Sequence, residues 1–218
     1  MGSSSLLATA QERDAGLDGD ANYAARCVPD AASGDGAAFG PPRCETSSVR
    51  LFVAVQPSEA VLDAVAGLAR PERGGVRWTT RDQWHVTLRF LGDVDDPAPV
   101  VAALDAAPLA ACEAVVGPRV TTLGRSILVV PVAGLDALAM GVVAATATIG
   151  APAEGRAFRG HLTLARARRG SVRDLAGEWV EARFPVDDLR LVRSHLGAGG
   201  SRYEDLHVRR LTPPRQGP

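Results

Sequence analysis

W-H-V-T-L-R-F-L-G, residues 84 to 92, is the stretch on which the fold of this chain turns. A histidine and a threonine stand two apart in a run that is otherwise mostly apolar. Side chains alternate faces along a strand, so His85 and Thr87 point one way while Val86 and Leu88 point the other. One face suits a core; the other offers an imidazole and a hydroxyl. A single H-x-T is commonplace and usually marks a satisfied core histidine or a surface pair. A second copy changes the weight. G-H-L-T-L-A-R-A, residues 160 to 167, repeats the pattern 161 − 85 = 76 positions later, with His161 and Thr163 set against Leu162 and Leu164. Two such strands predict two similar lobes about a pseudo-twofold axis, with both polar faces converging on one cleft.

Working outward, V-R-L-F-V-A-V (49–55) is a β-rich run. Pro57 and Ser58 open an amphipathic helix through about Ala69, with Val61, Leu62, Val65 and Leu68 at helical spacing. A short strand is expected at 76–79, a longer one at 84–91, and helices at 97–107, 134–149 and, briefly, 171–177. Further strands are expected at 112–116, 126–132, 161–166, 179–185, 188–195 and 203–211, with G-A-G-G (197–200) turning the last pair. Several neighbouring strands are hairpin-linked, which favours a bilobal α+β fold with mainly antiparallel sheets over a doubly wound parallel sheet. Residues 1–48 are rich in Gly, Ala, Ser and Asp without a sustained period and read as a disordered leader. Residues 49–218 then form a single bilobal domain.

The formal net charge of −1 points to no particular partner. Its distribution says more. The leader holds seven Asp/Glu and three Arg, leaving 21 positive and 18 negative side chains for the remainder. Arg156, Arg159, Arg166, Arg168 and Arg169 crowd around the second motif, a cluster suited to phosphate, though a charge run alone is more often a solvated turn. All 24 cationic side chains are arginine, so arginine count is weak evidence of phosphate binding in this chain. Cys27, Cys44 and Cys112 follow no metal-ligand or disulfide spacing, which fits a reducing compartment. No run reaches the roughly 18 apolar residues of a membrane span, and the N-terminus lacks the features of a signal peptide. A cytoplasmic monomer without a membrane partner is expected.

Two histidines flanking a phosphate suit acid–base phosphoester cleavage. An unperturbed imidazole titrates near pH ~6.5, so one can accept a proton from water while the other gives one to the departing ribose oxygen. Threonine hydroxyls can donate to the non-bridging oxygens where charge builds, and a guanidinium adds charge-assisted donors. Zinc is the sharper rival, but a site needs three or four ligands and no third His, Cys or carboxylate sits at a supporting offset. No metal or other cofactor is expected. His195 and His207, alone on late strands, receive no role.

The segments R-L-F-V-A-V (50–55), V-R-W-T-T-R-D-Q-W-H-V-T-L-R-F-L-G (76–92), F-R-G-H-L-T-L-A-R (158–166) and L-V-R-S-H-L-G-A-G-G-S-R-Y-E (191–204) resemble the two-histidine (2H) phosphoesterases, specifically the RNA 2′,3′-cyclic phosphodiesterases also called 2′-5′ RNA ligases. The doubled motif is the specific part. The resemblance implies a metal-independent enzyme that hydrolyses 2′,3′-cyclic phosphate ends of RNA or oligonucleotides to 2′-phosphomonoesters, with reversal as a weak 2′-5′ ligase. It makes His85 and His161 the catalytic pair, with the second as base by family habit, and Thr87 and Thr163 the phosphate-binding threonines. It places Arg166 against phosphate and offers Phe52 as a surface for a nucleobase, core packing being an equal reading of that ring. Gly160 stands where the family usually has Pro, which reads as a looser approach to the strand, and Arg89 replaces a Lys. Other readings stay open: a small cyclic nucleotide, a 2′-5′ oligonucleotide or a tRNA-derived cyclic phosphate as substrate, or a non-catalytic RNA- or nucleotide-binding module. Binding alone needs no second titrating group, which favours the enzyme.

Overall fold

The computed structural model describes residues 48–153, 155–197 and 200–213. The expected leader, Ser48 apart, and the two middle residues of the expected 197–200 turn lie outside these. In chain order the elements are β1 (Val49–Val55), α1 (Glu59–Ala66), β2 (Val76–Trp78), β3 (Val86–Val94), α2 (Ala98–Ala106), β4 (Cys112–Val116), β5 (Thr121–Leu123), β6 (Ile127–Ala133), α3 (Asp136–Ala145), β7 (His161–Ala167), β8 (Ala182–Val186), β9 (Asp188–Gly197) and β10 (Gly200–Arg210). Short 3₁₀ turns cover Arg81–Gln83 and Arg173–Leu175. All pairings among these strands are antiparallel. With three helices on such a sheet the fold is two-lobed α+β, as expected. The expected helix at 171–177 shrinks to one 3₁₀ turn, and the three-residue β5 was not anticipated.

The strand path runs β10-β9-β1-β3-β7-β6-β4-β8, with β2 on β7 and β5 on β6 beside it. The two motif strands, β3 and β7, lie at its centre and touch through one register pair, Val86 opposite Leu162. Those two residues are 162 − 86 = 76 apart, the spacing of the motifs themselves. Equivalent residues of a repeat face each other only on a twofold axis, so the axis passes between them. Continuing the antiparallel register brings His85 toward Thr163 and Thr87 toward His161.

Each motif strand carries a bulge at the same place. On β3 the partner register slips across Leu88, and on β7 across Leu164, again 76 apart. A bulge puts two residues opposite one and shifts the alternation that follows. Simple alternation would send residues 89 and 165 to the cleft face. Instead Arg89 and Ala165 are buried, while Phe90 and Arg166 turn outward. Arg89 therefore does more than preserve a charge. Its guanidinium donates to the carbonyls of Val143 (2.8 Å), Ile149 (3.3 Å) and Ala151 (3.2 Å), collecting the orphan acceptors at and beyond the end of α3. Burial lowers its pKa.

The apolar faces of β1, β3 and β7 meet the helices in one core that includes Leu51, Val53, Val86, Leu88, Leu162 and Leu164. The residues of α1 at helical spacing, Val61, Leu62 and Val65, all enter it. Helix α3 packs on β3 and against α2, α1 on β8, and α2 on β10. A smaller cluster of Phe52, Ala54 and Val192, with Tyr203 against it, occupies the other face of the sheet. No helix among the described residues is long and apolar enough to cross a membrane.

Candidate active site

On the face opposite the main core, Thr79, Gln83, His85, Thr87, His161, Thr163, Arg166 and Tyr203 line one pocket of about 80 Å³. Its small size and polar lining suit a phosphoryl group. Five of the six residues singled out from sequence meet here. Phe52 does not line the pocket. Its ring is 4% exposed and stacks on His85, centroids 4.8 Å apart at 29°, while Tyr203 meets both rings edge-on at 4.9 and 5.4 Å. A ring so covered has no open face for a base; of its two sequence readings, packing describes it, and it backs the imidazole.

The 3₁₀ turn and the residues around it bind the two lobes together. Trp84 is buried and its indole donates to the Thr79 hydroxyl (2.9 Å). That hydroxyl in turn lies 2.7 Å from the Thr163 carbonyl and 2.9 Å from that of Leu164, its one proton serving either. Gln83 caps the turn by accepting from Thr80 N–H and donates to the Ser201 carbonyl of β10 at 2.8 Å. Gly160 also has a firmer reason than loosening the chain before β7. A Cβ there would lie 2.3 Å from the Val132 carbonyl, so the backbone approach to β6 leaves no room for a side chain.

Both imidazoles are held in the same way. Nδ1 of His161 sits 2.8 Å from the Arg159 carbonyl, and the His85 ring bonds the backbone of Gln83. Each partner is two residues upstream of its histidine. A carbonyl only accepts, so the ring nitrogen it meets carries a proton, and the neutral ring's other nitrogen is a lone pair. Burial drives the His85 pKa down to about 4; the backbone bond and Asp205 oppose this, and His161 and Arg166 add to it. His161 is also lowered, chiefly by burial and then by Arg166 and Arg156, against its own backbone bond. Arg166 meets no carboxylate among the described residues. With Thr87 and Thr163 it makes the pocket a receptor for an anion.

Tyr203, Thr79 and Gln83 went unassigned from sequence. Tyr203 was visible only as an aromatic residue in the late R-Y-E segment, and neither Thr79 nor Gln83 stands out until the 3₁₀ turn is folded. His195 and His207 bond Glu204 (2.9 Å) and Asp105 (2.8 Å) away from the pocket. Among the described residues no three His, Cys, Asp or Glu gather where they could hold a metal ion.

Two H-x-T strands thus close on one arginine-bearing pocket suited to an anion. A family model for LigT-like phosphoesterases matches residues 51–114, which include the first motif but not the second. TT0787 of Thermus thermophilus has the same fold at 25% identity and a TM-score of 0.61, covering 75% of this chain and 98% of that one. LigT of E. coli in its apo form aligns at 22% identity and a TM-score of 0.62, covering 76% and 99%; its complex with 3′-AMP aligns at 22% and 0.61, with the same coverage. No curated protein matches the chain. The chain thus shares the fold of these phosphoesterases and, over its first motif, resembles the LigT-like family model.

Proposed function

We propose that the protein hydrolyses 2′,3′-cyclic phosphate ends of RNA to 2′-phosphomonoesters by paired-histidine acid–base catalysis without a metal, with 2′-5′ ligation as the reverse reaction. The observation that carries this reading is the pocket into which strands 76 residues apart bring two imidazoles, two hydroxyls and a guanidinium that meets no carboxylate among the described residues. A neighbour of the same fold that binds 3′-AMP is in keeping with a nucleotide here. Water attacks phosphorus opposite the ribose 3′ oxygen, and the P–O3′ bond breaks. One imidazole takes the proton from water and the other gives one to the 3′ oxygen, leaving a 2′-phosphate and a 3′-hydroxyl. Thr87, Thr163 and Arg166 hold the non-bridging oxygens, where charge accumulates.

Burial biases both rings toward the neutral form, His85 most. The more desolvated imidazole holds a proton less readily, which favours His85 as base and His161 as acid, opposite to the family habit. An entering phosphate anion favours the protonated form of whichever ring it meets. Incubation with an oligonucleotide ending in a 2′,3′-cyclic phosphate, in EDTA, tests the proposal. Turnover supports it, tight binding without product supports a binding module, and activity only with added metal refutes it.

A further inference from the structure

We propose that a second groove beside the catalytic pocket binds the phosphodiester just upstream of the cyclic end, so that the preferred substrate is an oligonucleotide and not a mononucleotide. This rests on the phosphodiesterase reading above. The groove, of about 580 Å³, shares Gln83 with the catalytic pocket and carries Arg77 of β2 and Arg202 of β10. The catalytic pocket is small beside this groove. A cyclic end has no chain on its 3′ side, so the rest of the strand must leave in the 5′ direction, past a wall of the pocket.

The charges mark which wall. Arg77 stands directly opposite Arg166 in the β2–β7 ladder. Direct cross-strand partners share a face, and like charges there are destabilising. Among the described residues neither guanidinium meets a carboxylate, so an anion lying along the pair offsets their repulsion. Arg77 also passes close over the start of β10: a Cβ on Gly200 would come within 2.4 Å of three of its guanidinium atoms. Arg202, on the same strand, is exposed and likewise meets no carboxylate among the described residues. His195 is already bonded to Glu204, and Asp82 is the carboxylate facing this groove. Arg166, Arg77 and Arg202 thus form a track leading from the catalytic pocket into the groove.

The test compares kcat/KM on a nucleoside 2′,3′-cyclic phosphate and on a pentanucleotide with the same end, for the wild type, R77Q, R77K and R202Q, at several salt concentrations. The wild type should prefer the pentanucleotide about tenfold or more, and R77Q and R202Q should each lose most of that preference and lower its salt slope by about one. R77K, which keeps the charge, should fall between. Equal kcat/KM on the two substrates in the wild type, or equal losses on both in R77Q and R202Q, would overturn the groove assignment while leaving the phosphodiesterase intact. Hydrolysis of neither substrate would overturn both.

Discussion

Replacing His85 with glutamine should flatten the acid side of the protein's stability curve. In the folded state burial depresses the His85 pKa from 6.5 to about 4. An unfolded chain binds this proton near pH 6.5 and the folded chain only near 4, so between those values the unfolded state holds more protons. The associated stability is complete above about 6.5 and falls as pH drops toward 4. Linkage with these two pKa values gives a loss of roughly 2 kcal/mol between about pH 7 and about pH 5, approaching about 3 kcal/mol below pH 4. Glutamine is neutral throughout and can still donate to the Gln83 carbonyl, so H85Q lacks this dependence and keeps the others. Urea unfolding of both proteins at the two pH values measures it. The wild type should lose roughly 2 kcal/mol more than H85Q, several-fold the usual scatter of such measurements. Parallel pH dependence would show that the ring gains its proton in the folded protein at no cost, and the desolvated site described above would be wrong.

Other predictions follow from the same geometry. His85→Ala and His161→Ala should each lower kcat by about 10²–10⁴ while far-UV circular dichroism stays that of the wild type. A substrate with bridging sulfur at the 3′ position leaves without a proton, so it should restore turnover to His161→Ala and not to His85→Ala; the reverse pattern would exchange acid and base. The pH profile of kcat/KM should be bell-shaped with its maximum below 6.5, because both free-enzyme values are lowered. The maximum for kcat should lie higher, since bound phosphate favours both protonated rings; a monotonic profile would count against paired histidines. Phe52→Ala should cost about 3–5 kcal/mol of stability, read by urea unfolding, and should move the acid limb of kcat/KM to higher pH by admitting water to His85.

How much of this was legible in the sequence depended on whether the information was local. Alternation placed His85, Thr87, His161 and Thr163 on one kind of face, because a strand's period of two needs no partner to be read. Arg166 was found by its position in the second motif, not by alternation, which would have sent it to the core. The bulges at Leu88 and Leu164 are what turn it outward, and they exist only in register with β1 and β6. The same pairing explains why Arg89, within the apolar motif, is buried as a clamp on α3. Phe52 could not be settled because a strand in the middle of a sheet has two buried faces here, one to the main core and one to His85 and Tyr203. Tyr203 comes to the pocket on β10, to which Gln83 is tied through the Ser201 carbonyl, and nothing in a single strand's pattern reports which hairpin will fold against it.

The pseudo-twofold axis supplies two imidazoles in matching positions, each tied to a carbonyl two residues upstream. Perfect symmetry would be of no use, because acid–base catalysis needs one ring to hold a proton while the other lacks it, and identical surroundings would give identical titrations. The departures from symmetry therefore carry the chemistry. His85 is covered by Phe52 and Tyr203, which strip its water and disfavour its charged form. At the motif position where β3 bears Phe90, β7 bears Arg166, since 166 − 90 = 76. One lobe thus closes its histidine in with aromatic rings, and the other adds a cation that, in the proposed reaction, draws the phosphate to its side. A phosphate held by Arg166 lowers the cost of protonating the ring nearest it. Repetition builds the pair, and in the proposed reaction unequal packing gives it two tasks.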